Sequence, residues 1–110
     1  MSELDEMPLL LPPTGSALRR VLDRAAAAHD IHLHPQAEID GARLMASLAF
    51  DGFGPAIVPA TAVPTWLAGS FTRIEVPGLP RRVVASIRRR RPAASAATLA
   101  ALTTLRTVVD

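Results

Sequence analysis

Leu9-Leu10-Leu11-Pro12-Pro13-Thr14-Gly15-Ser16 decides how the chain is read. Three consecutive leucines closed by two prolines show no alternation. That is the pattern of a short strand buried on both faces, as in a parallel sheet. A helix follows at once. Leu18, Val21, Leu22, Ala25 and Ala28 recur at helical spacing and predict one buried stripe. Thr14 or Ser16 supplies the capping oxygen for its first-turn amides. Arg19, Asp23 and Arg24 fall on the opposite face, toward solvent.

Working outward, residues 1–7 are polar and acidic and read as a loop. Between Ile31 and Ile39, Pro35 breaks the run, so a second strand is expected from Gln36 to Ile39. Asp40 is placed to cap a second helix running to about Asp51. Its buried face is Leu44, Met45, Leu48 and Ala49, and Gly52 is the left-handed residue that stops it. Gly54-Pro55-Ala56-Ile57-Val58-Pro59 reads as another short buried strand. A helical turn is expected within residues 60–68, broken by Pro64. Strands are expected over residues 71–76 and 82–88, separated by the turn Pro77-Gly78-Leu79-Pro80. Ser95 caps a last helix with Leu99, Leu102, Leu105, Val108 and Val109 inward. Strands alternating with helices at this spacing imply an α/β three-layer sandwich with a mainly parallel sheet.

Composition narrows the chemistry. The chain has 110 residues, 49% of them hydrophobic, which suits one modest globular unit. It has no Cys, hence no disulfide, thiolate metal site or Cys nucleophile. No apolar run approaches the ~18 residues of a membrane span. Glu3, Asp5 and Glu6 give the N-terminus the wrong sign for a secretory signal. These features read as a cytoplasmic protein with no membrane contact. The pI of about 11 is misleading. All twelve cations are Arg, and without Lys, Tyr or Cys nothing titrates between the histidines and the guanidinium groups. The formal charge is only +2.

Two junctions are candidate ligand sites. Pro13, Thr14, Gly15 and Ser16 lie where a strand passes into a helix, and open α/β sheets bind ligands beyond the carboxyl ends of their strands. Helix amides and hydroxyls there suit a carboxylate or another anion. The plainer reading is a capped loop. There is no Gly-x-x-x-x-Gly-Lys phosphate loop. Phe53 and Gly54 form the second junction, where Phe53 lines a pocket or simply packs on the sheet. His29, His32 and His34 cluster, but zinc needs more ligands than this segment offers, so they read as a solvated surface group and no metal is expected. No Ser/His/Asp arrangement can be drawn, so no catalytic residue is assigned. Arg88-Arg89-Arg90-Arg91, with Arg81 and Arg82 before them, reads as a solvated strand end. The strand would splay alternate side chains to opposite faces, and no aromatic interleaves them.

Together these segments resemble the effector-binding domain of LysR-type transcriptional regulators. The matching pieces stand in the family's order. They are Met7 to Arg19, then Glu38 and the helix up to Gly52-Phe53-Gly54-Pro55-Ala56-Ile57-Val58-Pro59, then Arg82 to Pro92 with Ser95 before the last helix. The resemblance covers about residues 7–108. It implies a type 2 periplasmic-binding-protein-like fold, with two α/β lobes and a small-molecule effector between them. Residues 1–92 would be the second lobe, and residues 93–110 a helix returning to the first. The first lobe and a winged helix-turn-helix have no counterpart here, so the chain reads as part of a longer one and Met1 as an internal start.

The resemblance implies effector contacts at Pro13, Thr14, Gly15, Ser16, Phe53 and Gly54. It also implies no cofactor, no enzymatic activity, DNA contact only through the absent domain, and a homo-oligomer paired through helix 16–29. Three departures stand out. Pro55 replaces Ile or Val, so the strand should start later or lie at an edge. Asp30 replaces the Gly that ends the first helix. That helix is also rich in Ala. Two alternatives are a small Arg-rich nucleic-acid-binding protein and a solute-binding lobe of a transport system, the latter without an export signal.

Overall fold

The computed structural model describes residues 1–67 and 69–109. The expected helical turn over 60–68 and the C-terminal segment 93–110 therefore each end on a residue outside the described set. Strand β1 (Pro8–Leu11) is the centre of the fold. Helix α1 (Ala17–Ala27) follows it, and then strand β2 (His34–Glu38), which pairs with β1 in parallel. Helix α2 (Ala42–Phe50) leads to a single parallel bridge between Leu10 and Ala56 on the other side of β1. The chain thus runs from β1 out to β2 and back across β1. Helix α3 (Ala96–Val109) ends the described chain.

The three leucines explain why β1 is central. Leu9, Leu10 and Leu11 are each essentially inaccessible. Side chains alternate along a strand. Leu9 and Leu11 accordingly meet Leu22 and Ala26 of α1 and Leu4 and Ile31. Leu10 faces the other way, the side on which α2 buries Met45 and Ala46. Helices on the two faces of a parallel sheet make the expected three-layer α/β arrangement. Burying each leucine contributes about 1.5–3 kcal/mol.

Several expectations need correction. Residues Ser2–Glu6 form a 3₁₀ turn that buries Leu4, not a loop. The buried stripe of α1 is rotated. Val21 and Ala28 are exposed, whereas Ala26 and Arg19 are buried. In α2, Leu44 is exposed and Ala46 is buried instead. Gly41, not Asp40, stands at the N-cap of α2, with no side-chain hydrogen bond. Strand β2 starts before Pro35, not after it. Leu9 pairs with Pro35 and Leu10 with Ala37, so Gln36 bulges out and the missing proline N–H breaks no ladder bond. As an edge strand, β2 tolerates this.

The strand expected over 54–59 shrinks to its bridge. Pro55 accepts the Leu10 N–H at 2.8 Å but has no N–H to give in return. The turn expected after it is two 3₁₀ turns, Ala60–Ala62 and Thr65–Leu67. No strand forms over 71–76 or 82–88. Phe71 instead meets Phe50 of α2 edge-on, at 5.4 Å between ring centres. Ile87 is 96% exposed. Ser95 does cap α3, accepting the Thr98 N–H at 3.2 Å. The apolar face of α3 is not inward, since none of its described residues is buried. Beyond Ala46 no described residue is fully buried, and Ile57, Val76 and Leu79 pack against the core only partly buried. The radius of gyration is accordingly 17.1 Å, against about 13 Å for a compact chain of this length. No described helix is long and apolar enough to cross a membrane.

Both central helices close with paired backbone bonds. After α2, Gly52 N–H donates to Ala49 O and Phe53 N–H to Leu48 O, so Gly52 stops the helix as expected. After α1, Asp30 N–H donates to Ala27 O and Ile31 N–H to Ala26 O. Asp30 carries φ of 55°, a left-handed conformation that costs an L-residue about 1–2 kcal/mol. The cap forms without glycine because Ile31, buried beside Ala26, anchors the chain past the turn. Asp30→Gly should therefore raise stability by about 0.5–1 kcal/mol, the relief of the turn less the entropy glycine gives the unfolded chain. Urea denaturation of the two proteins measures it, and an unchanged or lower midpoint would contradict the strain.

Candidate functional site

The carboxyl ends of β1 and β2 converge on one polar cluster. Leu11 and Glu38 are register partners, so the loop 12–16 leaves the sheet beside Glu38. The Thr14 hydroxyl donates to Glu38 Oε1 at 2.6 Å, and the Thr14 N–H to Oε2 at 3.4 Å. Arg19, one turn into α1, is 8% exposed. Its Nη1 donates to Glu38 Oε1 at 2.8 Å and to the Pro12 carbonyl at 3.1 Å, and its Nε to Asp23 Oδ1 at 2.9 Å. One guanidinium thus ties together the end of β1, the body of α1 and the end of β2. Arg20 holds the outside of the loop, donating to Gly15 O at 2.6 Å.

The charges respond to these contacts. Burial of the Arg19 guanidinium disfavours its charge, but its hydrogen bonds to Asp23 and Glu38, with their negative charges, outweigh burial, and its pKa stands above the ordinary value. The Glu38 carboxyl is held below the ordinary carboxylate range, chiefly by the Thr14 hydroxyl, then by the Thr14 amide and by Arg19.

Ser16 is the N-cap. Its Oγ accepts the Arg19 N–H at 3.2 Å. Among the described residues nothing accepts the Ala17 and Leu18 amides, so the helix opens with free donors at the carboxyl edge of the sheet. The amides that open α2 at Gly41 lack a side-chain cap and lie at the same edge. Pro13 is half-buried, and Thr14 and Gly15 are exposed. The four residues Pro13 to Ser16 therefore form one contiguous, anion-compatible loop whose conformation is set by Glu38 and Arg19.

Phe53 and Gly54 lie elsewhere. A β-carbon on Gly54 would come within 2.7 Å of Gln36 Oε1 and 3.7 Å of the Pro8 carbonyl oxygen. Gly54 thus sits at the amino end of β1, and its positive φ of 151° accounts for the glycine, since the Gln36 side-chain end can move aside. Phe53 is 60% exposed. The four residues of β1 separate the two junctions by about 10 Å, so the structure does not bring them into one contact.

Topology points instead to residues 58–60. The strand order is β2, β1, then the Ala56 segment: the chain leaves β1 for β2 on one side and returns across β1 to the other. The switch point therefore lies between loop 12–16 and Val58-Pro59-Ala60. Sequence reading absorbed Val58 and Pro59 into a strand. The missed signal was a repeated arrangement, since Leu11-Pro12-Pro13-Thr14 and Val58-Pro59-Ala60-Thr61 each end an apolar run with proline and threonine.

There are two grooves. One, of about 430 Å³, runs along α1 from Arg19 and Asp23 to Asp30 and Leu33. The other, of about 210 Å³, lies between α2 and Trp66. The histidines are tied down locally. His32 N–H donates to Asp5 Oδ1 at 2.8 Å, His34 Nε2 lies 3.9 Å from the same oxygen, and His29 Nδ1 lies 2.9 Å from Ala25 O. Among the described residues no three His, Cys, Asp or Glu side chains group as a metal site.

The whole chain, residues 1–110, matches the family model described as LysR substrate binding domain. No curated protein and no solved structure matches it.

Two outcomes follow from the cluster. Arg19→Met should lower stability by about 1–3 kcal/mol, because it leaves Glu38 and the Pro12 carbonyl without their charged donor. A loss too small to measure would show that the network is incidental. Glu38 is stabilised in its ionised form, so its contribution is present above the ordinary glutamate pKa of about 4.3 and fades as pH falls through its lower folded value. Glu38→Gln should flatten the acid limb of a stability–pH curve, and an unchanged limb would assign that limb to other carboxylates.

Proposed function

Because the chain belongs to the family of LysR substrate-binding domains, we propose that it is the effector-sensing part of a LysR-type transcriptional regulator. Domains of this family are regulatory rather than catalytic. In this reading, residues 1–92 form the second lobe of a two-lobed sensor, and residues 93–110 return to the first lobe. The uncovered apolar face of α3 supports that assignment. The effector is a small molecule with an anionic end, held between lobes without a cofactor. Closing the lobes on it shifts a population of states and rearranges a homo-oligomer paired through α1. Sequence-specific DNA reading belongs to a separate domain, and the protein works in the cytoplasm.

The observation that carries the reading is the presentation of loop 12–16. Thr14 and Arg19 lock it against Glu38, and the free Ala17 and Leu18 amides lie at the carboxyl edge beside the switch point. Pro13, Thr14, Gly15 and Ser16 are the effector contacts of choice. A ligand that also reaches Phe53 and Gly54 would have to extend about 10 Å along β1.

Titrating small carboxylates into the chain while following backbone amide resonances tests this. Shifts should concentrate on the amides of residues 14–18, with affinity weaker than micromolar, because one lobe offers half of the contacts. Shifts confined to Phe53 and Gly54, or micromolar binding by the chain alone, would contradict it.

A further inference from the structure

We propose that the segment Arg81 to Arg91 is a contact surface for the phosphate backbone of duplex nucleic acid. This is separate from effector sensing and additional to any sequence-reading domain. Six of the twelve arginines lie in these eleven residues, and residues 76–109 hold seven arginines and no acidic residue. The argument for a solvated strand end was that a strand would splay these side chains to opposite faces. No strand forms there. Arg81, Arg82, Arg88, Arg89, Arg90 and Arg91 are all exposed. Among the described residues none of them makes an ion pair or a side-chain hydrogen bond, in contrast to Arg19 and Arg20. The backbone of residues 80–94 likewise bonds to nothing among the described residues. The segment is a loop able to shape itself to a partner.

The partner's chemistry follows from what accompanies the charge. Arginine forks match phosphate oxygens. Four consecutive cations need closely spaced anions, and a duplex supplies one charge per about 1.7 Å of axis. Residues 76–109 contain no aromatic residue, so the stacking that single strands require is missing. The same absence removes the aromatic anchors of a membrane-surface segment. Val83 and Ile87 lie between the two arginine groups. They can therefore be covered by another part of a longer chain while the flanking arginines stay at the surface.

Fluorescence anisotropy of the 110-residue chain with a labelled duplex of about 20 base pairs, over a salt series, tests the proposal. If all six arginines meet phosphates, the slope of log K against log salt should be about −5. Affinity should then fall about a thousandfold between about 50 and 200 mM salt. The variant carrying Arg88→Gln, Arg89→Gln, Arg90→Gln and Arg91→Gln should bring the slope to about −2, and the corresponding lysine variant should keep most of it. An Arg81→Gln/Arg82→Gln variant should lose a smaller share. Far-ultraviolet circular dichroism checks that each variant is folded. Absence of binding at low salt, an unchanged slope in the fourfold Gln variant, or binding to phosphatidylserine vesicles but not to duplex would overturn the proposal.

Discussion

The guanidinium of Arg19 is the contact on which the working edge of this protein depends. A buried cation needs partners for its charge and its donors. Here Nε and Nη1 find them in Asp23, the Pro12 carbonyl and Glu38. Because these three groups belong to the end of β1, the flank of α1 and the end of β2, satisfying one side chain fixes the mutual position of three elements. The loop 12–16 is suspended from that arrangement through Thr14. Without it, the leucines of β1 would still bury themselves, but nothing would hold the loop in one conformation over the free amides of α1.

That edge is also where the topology places a crevice. The chain leaves β1 toward β2, crosses back, and bridges Leu10 through Ala56. Connections that diverge from a central strand leave a gap at its carboxyl end. Family membership and topology point to the same kind of function, a small-molecule site at the mouth of an α/β sheet. Past Ala46 the character of the chain changes. Apolar side chains such as Leu105 and Val109 stay uncovered, and among the described residues the arginines there make no ion pair. The proposed effector loop and the proposed phosphate-contacting segment therefore lie on different stretches of the sequence.

Much of this was legible from residues alone. Leu9-Leu10-Leu11 announced a doubly buried parallel strand, Ser16 and Ser95 announced helix starts, and Gly52 announced a helix stop. Each of these signals is local, involving a few neighbouring backbone groups. The errors have a common cause. Helical periodicity sorts the charge of Arg19 to the outside, and periodicity does not know that the buried Pro12 carbonyl and the surface carboxylates of Asp23 and Glu38 stand within its reach. Strands over 71–76 and 82–88 are expected from local pattern, but a strand exists only with a partner to pair with.

The sequence by itself determined the order of elements through α2, the buried identity of β1 and the loop that caps α1, because these rest on side-chain polarity and backbone freedom at adjacent positions. Tertiary structure alone decided that Glu38 and Arg19 hold that loop, and that Gly54 belongs to the other end of β1. Those facts depend on which strands become neighbours and in what register, and register is a property of pairing between distant segments.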